Sequence, residues 1–333
     1  MLPLGKLSPD HLARLIGGLA ARDPSVVSGP GIGRDCAVID LGGDQWLVAK
    51  SDPITFATDE IGLYVVHVNA NDVATTGAAP RWFMATVLLP QSIELGAIDR
   101  IFDQMRSACA DIGATIVGGH TEVTYDLNRP IVIGTLIGLV ARERLILPTG
   151  AQPGDAILLT KRMAVEATSI MAREKEAELI AHFDASFVRR CQRFLHEPGI
   201  SVVNEARIAA QTGRVHAMHD PTEGGVATAL MELAIASQVS LEIDDEAVPV
   251  YPETQAVCDY FGLDPWGVIA SGSLLIAVEA AGADEVIGLL AAAQIEAAII
   301  GRAVEKSDRP VVRTKRGGLL RAFARDEITR LFE

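Results

Sequence analysis

The chain has 333 residues, 49% of them hydrophobic and 22% charged, with a formal net charge of −14. This mix excludes disorder as the main state, and the length suits two domains of about 100–200 residues each. The acidic balance argues against nucleic acid or an anionic membrane as partner, but not against nucleotides, because Mg²⁺ bridges carboxylates to phosphates.

Ser8-Pro9-Asp10 reads as a helix start, a serine cap with proline at the first helical position, leading into an amphipathic run over His11–Ala21. Asp23–Arg34 is a loop bearing glycine and proline. Cys36–Leu41 and Gln45–Lys50 are predicted strands joined by the turn residues Gly42-Gly43-Asp44. Asp59–Thr76 has helical spacing, Arg81–Leu89 reads as a strand, and Glu94–Ile112 as a helix with Ile101, Met105 and Cys109 on its apolar stripe. Ile116-Val117 ends in Gly118-Gly119, and Pro130–Val140 is a buried strand. Arg142–Asp155, with Pro148, Gly150, Pro153 and Gly154 among charges, reads as the domain linker. Beyond it, strands Ala156–Thr160, Val215–His219, Ser240–Ile243, Ser273–Val278 and Ala298–Val304 are interspersed with helices Val165–His182, Ser186–Leu195, Ser201–Thr212, Thr222–Ser237 and Asp284–Ala293. This alternation predicts an α/β or α+β fold rather than a bundle or sandwich. The final stretch, Arg313–Glu333, is basic and then weakly helical.

The four cysteines, Cys36, Cys109, Cys191 and Cys258, show no CxxC or metal-knuckle spacing and are read as reduced thiols of a cytoplasmic protein. Met1–Leu7 is not a secretory signal, and the apolar stretches Ile131–Val140 and Trp266–Val278 are too short for a helical membrane span.

Five motifs could carry chemistry. Gly29-Pro30-Gly31-Ile32-Gly33-Arg34-Asp35 can bring backbone N–H groups close to an anion, or can be a plain turn. In Lys50-Ser51-Asp52-Pro53, an aspartate at a strand end suits a metal or phosphate, although taken singly it reads as a cap. His67-Val68-Asn69-Ala70-Asn71-Asp72 puts three poor helix formers inside an apolar helix, with Asn69 and Asp72 on one face. Such groups need partners, either a Mg²⁺–phosphate group or a buried hydrogen-bond network. Gly118-Gly119-His120-Thr121-Glu122 resembles a ligand approach. His219-Asp220-Pro221-Thr222 feeds a helix N-terminus, an anion site or simply a cap.

Taken in order, GPGIGRDCAVI, KSDPI, HVNANDVATTGAAP, GGHTEV and HDPTEGGV resemble the aminoimidazole ribonucleotide (AIR) synthetase superfamily, from about Leu4 to about Val304. Within it the chain looks most like the hydrogenase-maturation HypE branch and the synthetase-related proteins. It departs from HypE in ending Arg330-Leu331-Phe332-Glu333 without a terminal cysteine, and in carrying Glu122 or Glu223 where HypE usually has a basic residue.

The resemblance implies a two-domain fold. An N-terminal ATP-binding and dimerisation domain (1–145) would pair through a β-barrel, followed by a C-terminal α/β domain (154–310) and a tail (311–333). The strands Cys36–Leu41, Arg81–Leu89 and Pro130–Val140, apolar on both faces, suit such a homodimer. The resemblance also implies ATP and Mg²⁺ as cofactors, with Asp35, Asp52 and Asp72 as metal ligands. Gly31, Gly33, Asn69, Asn71, Gly118, Gly119, Thr121 and Lys161 would bind the nucleotide, and Asp72, His120 and Asp220 are the catalytic candidates. The implied reaction is phosphorylation of an amide-type oxygen on a small or protein-borne substrate. A kinase like the thiamine-monophosphate branch and a non-catalytic nucleotide-binding homologue are the alternatives. Since each cysteine falls in regular structure, the acceptor is expected on a separate molecule.

Overall fold

The structure is a computed structural model that describes residues 7, 9–19, 23–55, 57 and 59–332. Helix α1 (Pro9–Ile16) stops at Gly17, short of the predicted Ala21; the expected Ser8 cap and the end of that run at Ala20 and Ala21 lie outside the described residues. The chain divides into two compact units. The smaller contains Asp35–Leu145 and the strand before the glycine loop; the larger contains α1, Pro30–Arg34 and Ile146–Glu333.

In the smaller unit, strands β1 (Val26–Ser28), β2 (Ala37–Asp40), β3 (Gln45–Ile54), β4 (Ala79–Pro90), β5 (Thr115–Thr124) and β6 (Ile131–Ala141) form one sheet in the order β1-β2-β3-β6-β4-β5. Helices α2 (Ile61–Thr75) and α3 (Leu95–Asp111) belong to the same unit. Neighbouring strands are antiparallel except β4 and β5, which are joined through α3 and run parallel, as a crossover connection requires. Helix α2 is apolar around nearly its whole circumference and is buried almost throughout. Two glycines of β6 let it lie flush on the sheet. A Cβ at Gly134 would sit 2.5 Å from Asn69 Nδ2, and one at Gly138 2.5 Å from Val73 Cγ1. Burial along β6 alternates strictly: Val132, Leu136 and Val140 face inward, while Ile133, Ile137 and Leu139 are half-exposed. The strands are therefore covered on one face within this chain, not on both.

In the larger unit, the sheet order is β12-β9-β11-β7-β10-β8, from β7 (Ala156–Thr160), β8 (Val215–His219), β9 (Val239–Ile243), β10 (Leu275–Val278), β11 (Ala297–Lys306) and β12 (Val312–Thr314). The helices are α4 (Val165–Glu174), α5 (Glu176–His182), α6 (Ala185–Arg193), α7 (Val203–Gln211), α8 (Gly225–Ser237), α9 (Pro252–Phe261) and α10 (Ala283–Ala292). Only β12 runs parallel to its neighbour, β9, so this is an antiparallel α+β layer rather than a parallel α/β sheet.

Four further expectations need correcting. The loop before Arg34 contains β1. Strand β3 continues through Asp52 to Ile54, so Asp52 lies within a strand instead of ending one. The run Val165–His182 is two helices that meet at Lys175. The segment after residue 310 is no appendage: Val312 enters the sheet, and Asp326, Ile328 and Thr329 are buried. Among the described residues no helix is long and apolar enough to cross a membrane.

Candidate functional site

The smaller unit gathers three carboxylates around one ammonium group. Lys50 and Asp52, two apart on β3, project to the same side of the strand. Asp72 comes from α2, and Asp35 from the segment just before β2. Lys50 Nζ lies 3.0 Å from Asp72 Oδ2, 3.1 Å from Asp52 Oδ2 and 4.0 Å from Asp35 Oδ1. Burial alone would pull the Lys50 pKa down; Asp72, then Asp52 and Asp35, outweigh it and hold the pKa well above the ordinary lysine value. Lys50 is thus an ammonium at every physiological pH.

Close carboxylates need a cation. The resemblance implied Mg²⁺ on Asp35, Asp52 and Asp72; the structure adds a cation of the chain's own, Lys50, a residue the sequence offered only as the first letter of a motif. The cluster still carries a net negative charge. Asp72 is 3% exposed in its side chain, whereas Asp35 at 28% and Asp52 at 35% are open to solvent. Hard oxygen donors that face solvent on one side, with more carboxylate charge than Lys50 alone offsets, would suit a Mg²⁺ that keeps several of its waters.

Asn69 has a positioning part here. Its Oδ1 accepts the Asp52 N–H at 2.9 Å, and its Nδ2 donates to the Val65 carbonyl at 2.8 Å and the Asp52 carbonyl at 3.3 Å. The polar helix face is therefore a buried hydrogen-bond network at Asn69 and an ion-pair cluster at Asp72. Asn71 is also buried.

The Gly118–Val123 motif is strand, not loop. Gly118, Gly119, His120 and Thr121 all lie on β5, an exposed strand, with β4 and β6 between it and β3. Three strand spacings amount to about 14 Å of sheet. Gly119 is glycine because a Cβ there would run into the Ala85 carbonyl of β4, a packing reason that needs no ligand. His120 Nε2 is 3.1 Å from Glu122 Oε2 on the same strand, and both side chains are largely exposed.

The remaining candidates belong to the larger unit. Lys161 is committed within it: its ammonium donates to the carbonyls of Gly199 at 3.0 Å and Ser201 at 2.7 Å and pairs with Glu205 at 2.7 Å. It ties down the segment before α7, whereas the resemblance implied a nucleotide-binding role for it. Gly31 and Gly33 sit in a tight turn closed by Arg34 N–H donating to the Gly31 carbonyl. Asp220 is 1% exposed at the end of β8, next to His219, whose Nε2 is 3.0 Å from Glu232 Oε2. Neither Asp220 nor Thr222 caps α8, which begins later, at Gly225. Instead Asp326, from the C-terminal segment, accepts the Gly224 N–H at 2.7 Å and the Ile328 N–H at 2.9 Å.

Two carboxyls of this unit went unnoticed in the sequence. Burial, with neighbouring Glu223, pushes the Glu166 pKa up to about 8, against hydrogen bonds from Ser271; burial likewise raises Asp326 to about 6. The only sequence signal for Glu166 is an acid in the first turn of an otherwise apolar helix.

Residues 33–140 match the family model described as AIR synthase related protein, N-terminal domain, and residues 152–313 match AIR synthase related protein, C-terminal domain. The chain is similar to carbamoyl dehydratase HypE of Cupriavidus necator, 32% identical over 297 residues, spanning 86% of this chain and 82% of that protein. HypE of Rhizobium leguminosarum bv. viciae is also 32% identical, over 86% of this chain and 77% of its own length. Among solved structures, a hydrogenase maturation protein HypE in complex with ATP superposes with a TM-score of 0.66 at 25% identity, covering 96% of each chain. AaThiL complexed with AMPPCP and TMP gives a TM-score of 0.75 at 19% identity over 97% of each chain, a likeness of fold.

Proposed function

The chain belongs to the AIR synthase-related family, and on that premise we propose that it is a Mg²⁺- and ATP-dependent enzyme that phosphorylates the oxygen of an amide-type acceptor. The observation that carries this reading is the Lys50 cluster. Asp35, Asp52 and Asp72 would hold Mg²⁺, which when bound neutralises charge on the nucleotide's phosphates. Lys50 stays protonated and fixed, so its charge needs no reorganisation as negative charge moves between oxygens. Asn69 locks the backbone of Asp52 and so the direction of its carboxylate. Phosphoryl transfer asks for little covalent chemistry from the protein; positioning and charge stabilisation supply most of the rate. Once phosphorylated, the amide oxygen leaves as phosphate, which is what a dehydration requires.

The acceptor is a separate molecule in this reading, either a small amide or one borne by another protein. All four cysteines are buried. Burial, the largest cause in each case, pushes the thiol pKa of Cys109 up to about 11 and those of Cys191 and Cys258 up to about 12. The protein acts as a homodimer in the cytoplasm, its N-terminal domain (1–145) pairing through the half-exposed apolar face of β6 and the exposed strand β5. ATP turnover screened against carboxamide and thiamine-type acceptors tests the proposal. Stimulation by carboxamides with release of phosphate supports it. A stable phosphate ester on a hydroxyl acceptor would replace it with a kinase, and failure to bind Mg·ATP would end it.

A further inference from the structure

The turn Gly31–Arg34 packs as part of the larger unit, although the residues on either side of Pro30–Arg34 belong to the smaller one. Two features explain how it is held. Gly33 has φ +68°, and a Cβ there would lie 2.7 Å from the Glu232 carbonyl and 3.2 Å from Ala236 Cβ, so its backbone rests directly on α8. Ile32 lines a mainly apolar cavity of about 140 Å³ whose other walls include Met231 and Ile235 of α8 and Leu320 and Phe323 of the C-terminal segment.

That segment is itself fixed. Phe323 lies so close over Gly267 that a Cβ there would strike its ring, and Arg321 covers the ring with its guanidinium 4.7 Å from the centroid while pairing with Asp264 at 2.9 Å. Farther along, Asp326 is anchored to the Gly224 N–H.

We propose that Ile32 is a positioning residue. Its side chain, on the wall of the cavity that α8 and the segment around Leu320–Phe323 also line, holds the Gly31–Arg34 turn in its nucleotide-binding shape. The inference rests on the reading of that turn as part of the nucleotide site. It gives the C-terminal segment a part in nucleotide binding through the turn. A loop whose shape is set before the ligand arrives spares the ordering cost at binding, and a truncated side chain in the socket restores that cost.

The test uses the full-length protein. Amide exchange is followed at Arg34, whose N–H closes the turn, in the wild type and in Ile32→Ala, Ile32→Val and Phe323→Ala, without nucleotide. Mg·ATP titration calorimetry follows on the same samples. In Ile32→Ala and Phe323→Ala the Arg34 amide is expected to exchange about tenfold faster and Mg·ATP affinity to fall about tenfold, with Ile32→Val close to wild type. Ile32 is half-exposed, so exchange across α8 stays as in the wild type and reports that the fold is intact. Unchanged exchange at Arg34 overturns the proposal, as does faster exchange with unchanged affinity. A wild type that binds no nucleotide sinks the functional reading, and with it the role in binding. The exchange result then still decides separately whether Ile32 holds the turn.

Discussion

Asn69 Oδ1 accepts the backbone N–H of Asp52 at 2.9 Å while its Nδ2 donates to the carbonyl of the same residue at 3.3 Å, so one amide side chain reads both backbone groups of a strand residue. Asp52 pairs across the sheet with Gly134, the glycine that leaves room for Asn69. Helix α2 is thereby pinned to β3 in one register, and that register puts Asp72 and Asp52 on the same lysine.

Asp72→Asn tests the cluster with minimal change of shape. The variant keeps the volume, removes the buried charge and leaves Lys50 with its more exposed partners. Mg·ATP affinity is expected to fall tenfold or more, about 1.4 kcal/mol per decade. Unchanged affinity by calorimetry would remove Asp72 from the site.

Lys50→Met asks whether a divalent cation can do the work of the ammonium. Without Lys50 three carboxylates face one another with Asp72 still buried, and stability should drop by roughly 3–5 kcal/mol, the usual cost of breaking a buried pair. Added Mg²⁺ should then raise the melting temperature of the variant far more than that of the wild type, because it fills the lost charge. Thermal melts with Mg²⁺ and with EDTA read this directly. No rise in melting temperature with Mg²⁺ in either protein counts against metal binding by these aspartates.

The larger unit predicts a pH dependence of the unusual sign. Burial raises the Glu166 pKa to about 8 from the ordinary glutamate value of 4.5. The folded state thus holds this proton when the unfolded chain has lost it. Stability from this group is full below about pH 4.5 and declines as pH rises toward 8, since the native state then binds more protons than the unfolded one. Glu166→Gln mimics the protonated form and can keep the Ser271 N–H bond, 3.2 Å long. Denaturant melts at pH 5 and pH 8 should show a smaller loss on raising the pH in the variant than in the wild type, and a more stable variant at pH 8. Parallel losses in both proteins would show that Glu166 does not titrate as its burial requires.

A homodimer is the expected outcome of what the described residues leave open. Ile133, Ile137 and Leu139 form a half-exposed apolar row on β6, and β5 exposes Ile116, Val117 and Val123. Sedimentation should give twice the chain mass at micromolar concentration, and Ile137→Glu, a charge placed in that row, should give the single chain. A wild type that sediments as one chain ends this part of the reading.

The parts of the fold that sequence conveyed are those governed by local periodicity. Helix α2 shows in its apolar spacing, and Asn69 and Asp72 stand out because polar residues inside such a helix demand partners. Lys50 did not stand out, because a lysine at a strand end usually faces solvent; its burial depends on Asp72, 22 positions later, and no local pattern carries that information. Gly118-Gly119 looked like a ligand approach because glycines let a backbone come close to a bound group. Here Gly119 answers to the Ala85 carbonyl on a neighbouring strand, a contact set by the register of β4 and β5. The segment after residue 310 reads as a basic tail because its arginines and lysines dominate, while the residues that fix it, Val312, Asp326, Ile328 and Thr329, are too few and too spaced to show a period.

The last prediction concerns the thiols. A protein that carries a carbamoyl-derived group on its own sulfur needs a thiolate that can be reached and replenished, since the thiolate is the nucleophile. In this chain Cys109, Cys191 and Cys258 are at most 2% exposed. With pKa values pushed up to about 11, 12 and 12, roughly one in 10⁴ to 10⁵ of each would be ionised at pH 7. Cys36, 8% exposed, directly follows Asp35 of the lysine cluster, but it is buried at the entrance to β2, in ordered structure rather than on a swinging arm. Packing of this kind makes cysteine a small hydrophobe. Incubation of the full chain with ATP and a carbamoyl-transfer protein, followed by intact-mass measurement, is therefore expected to show the unmodified mass. A stable adduct of carbamoyl or cyano mass that disappears in a single Cys→Ala variant would overturn this expectation and place the acceptor on the chain itself. If that variant were Cys36→Ala, the adduct would sit one residue from Asp35, and the lysine cluster would have to open to admit the reaction.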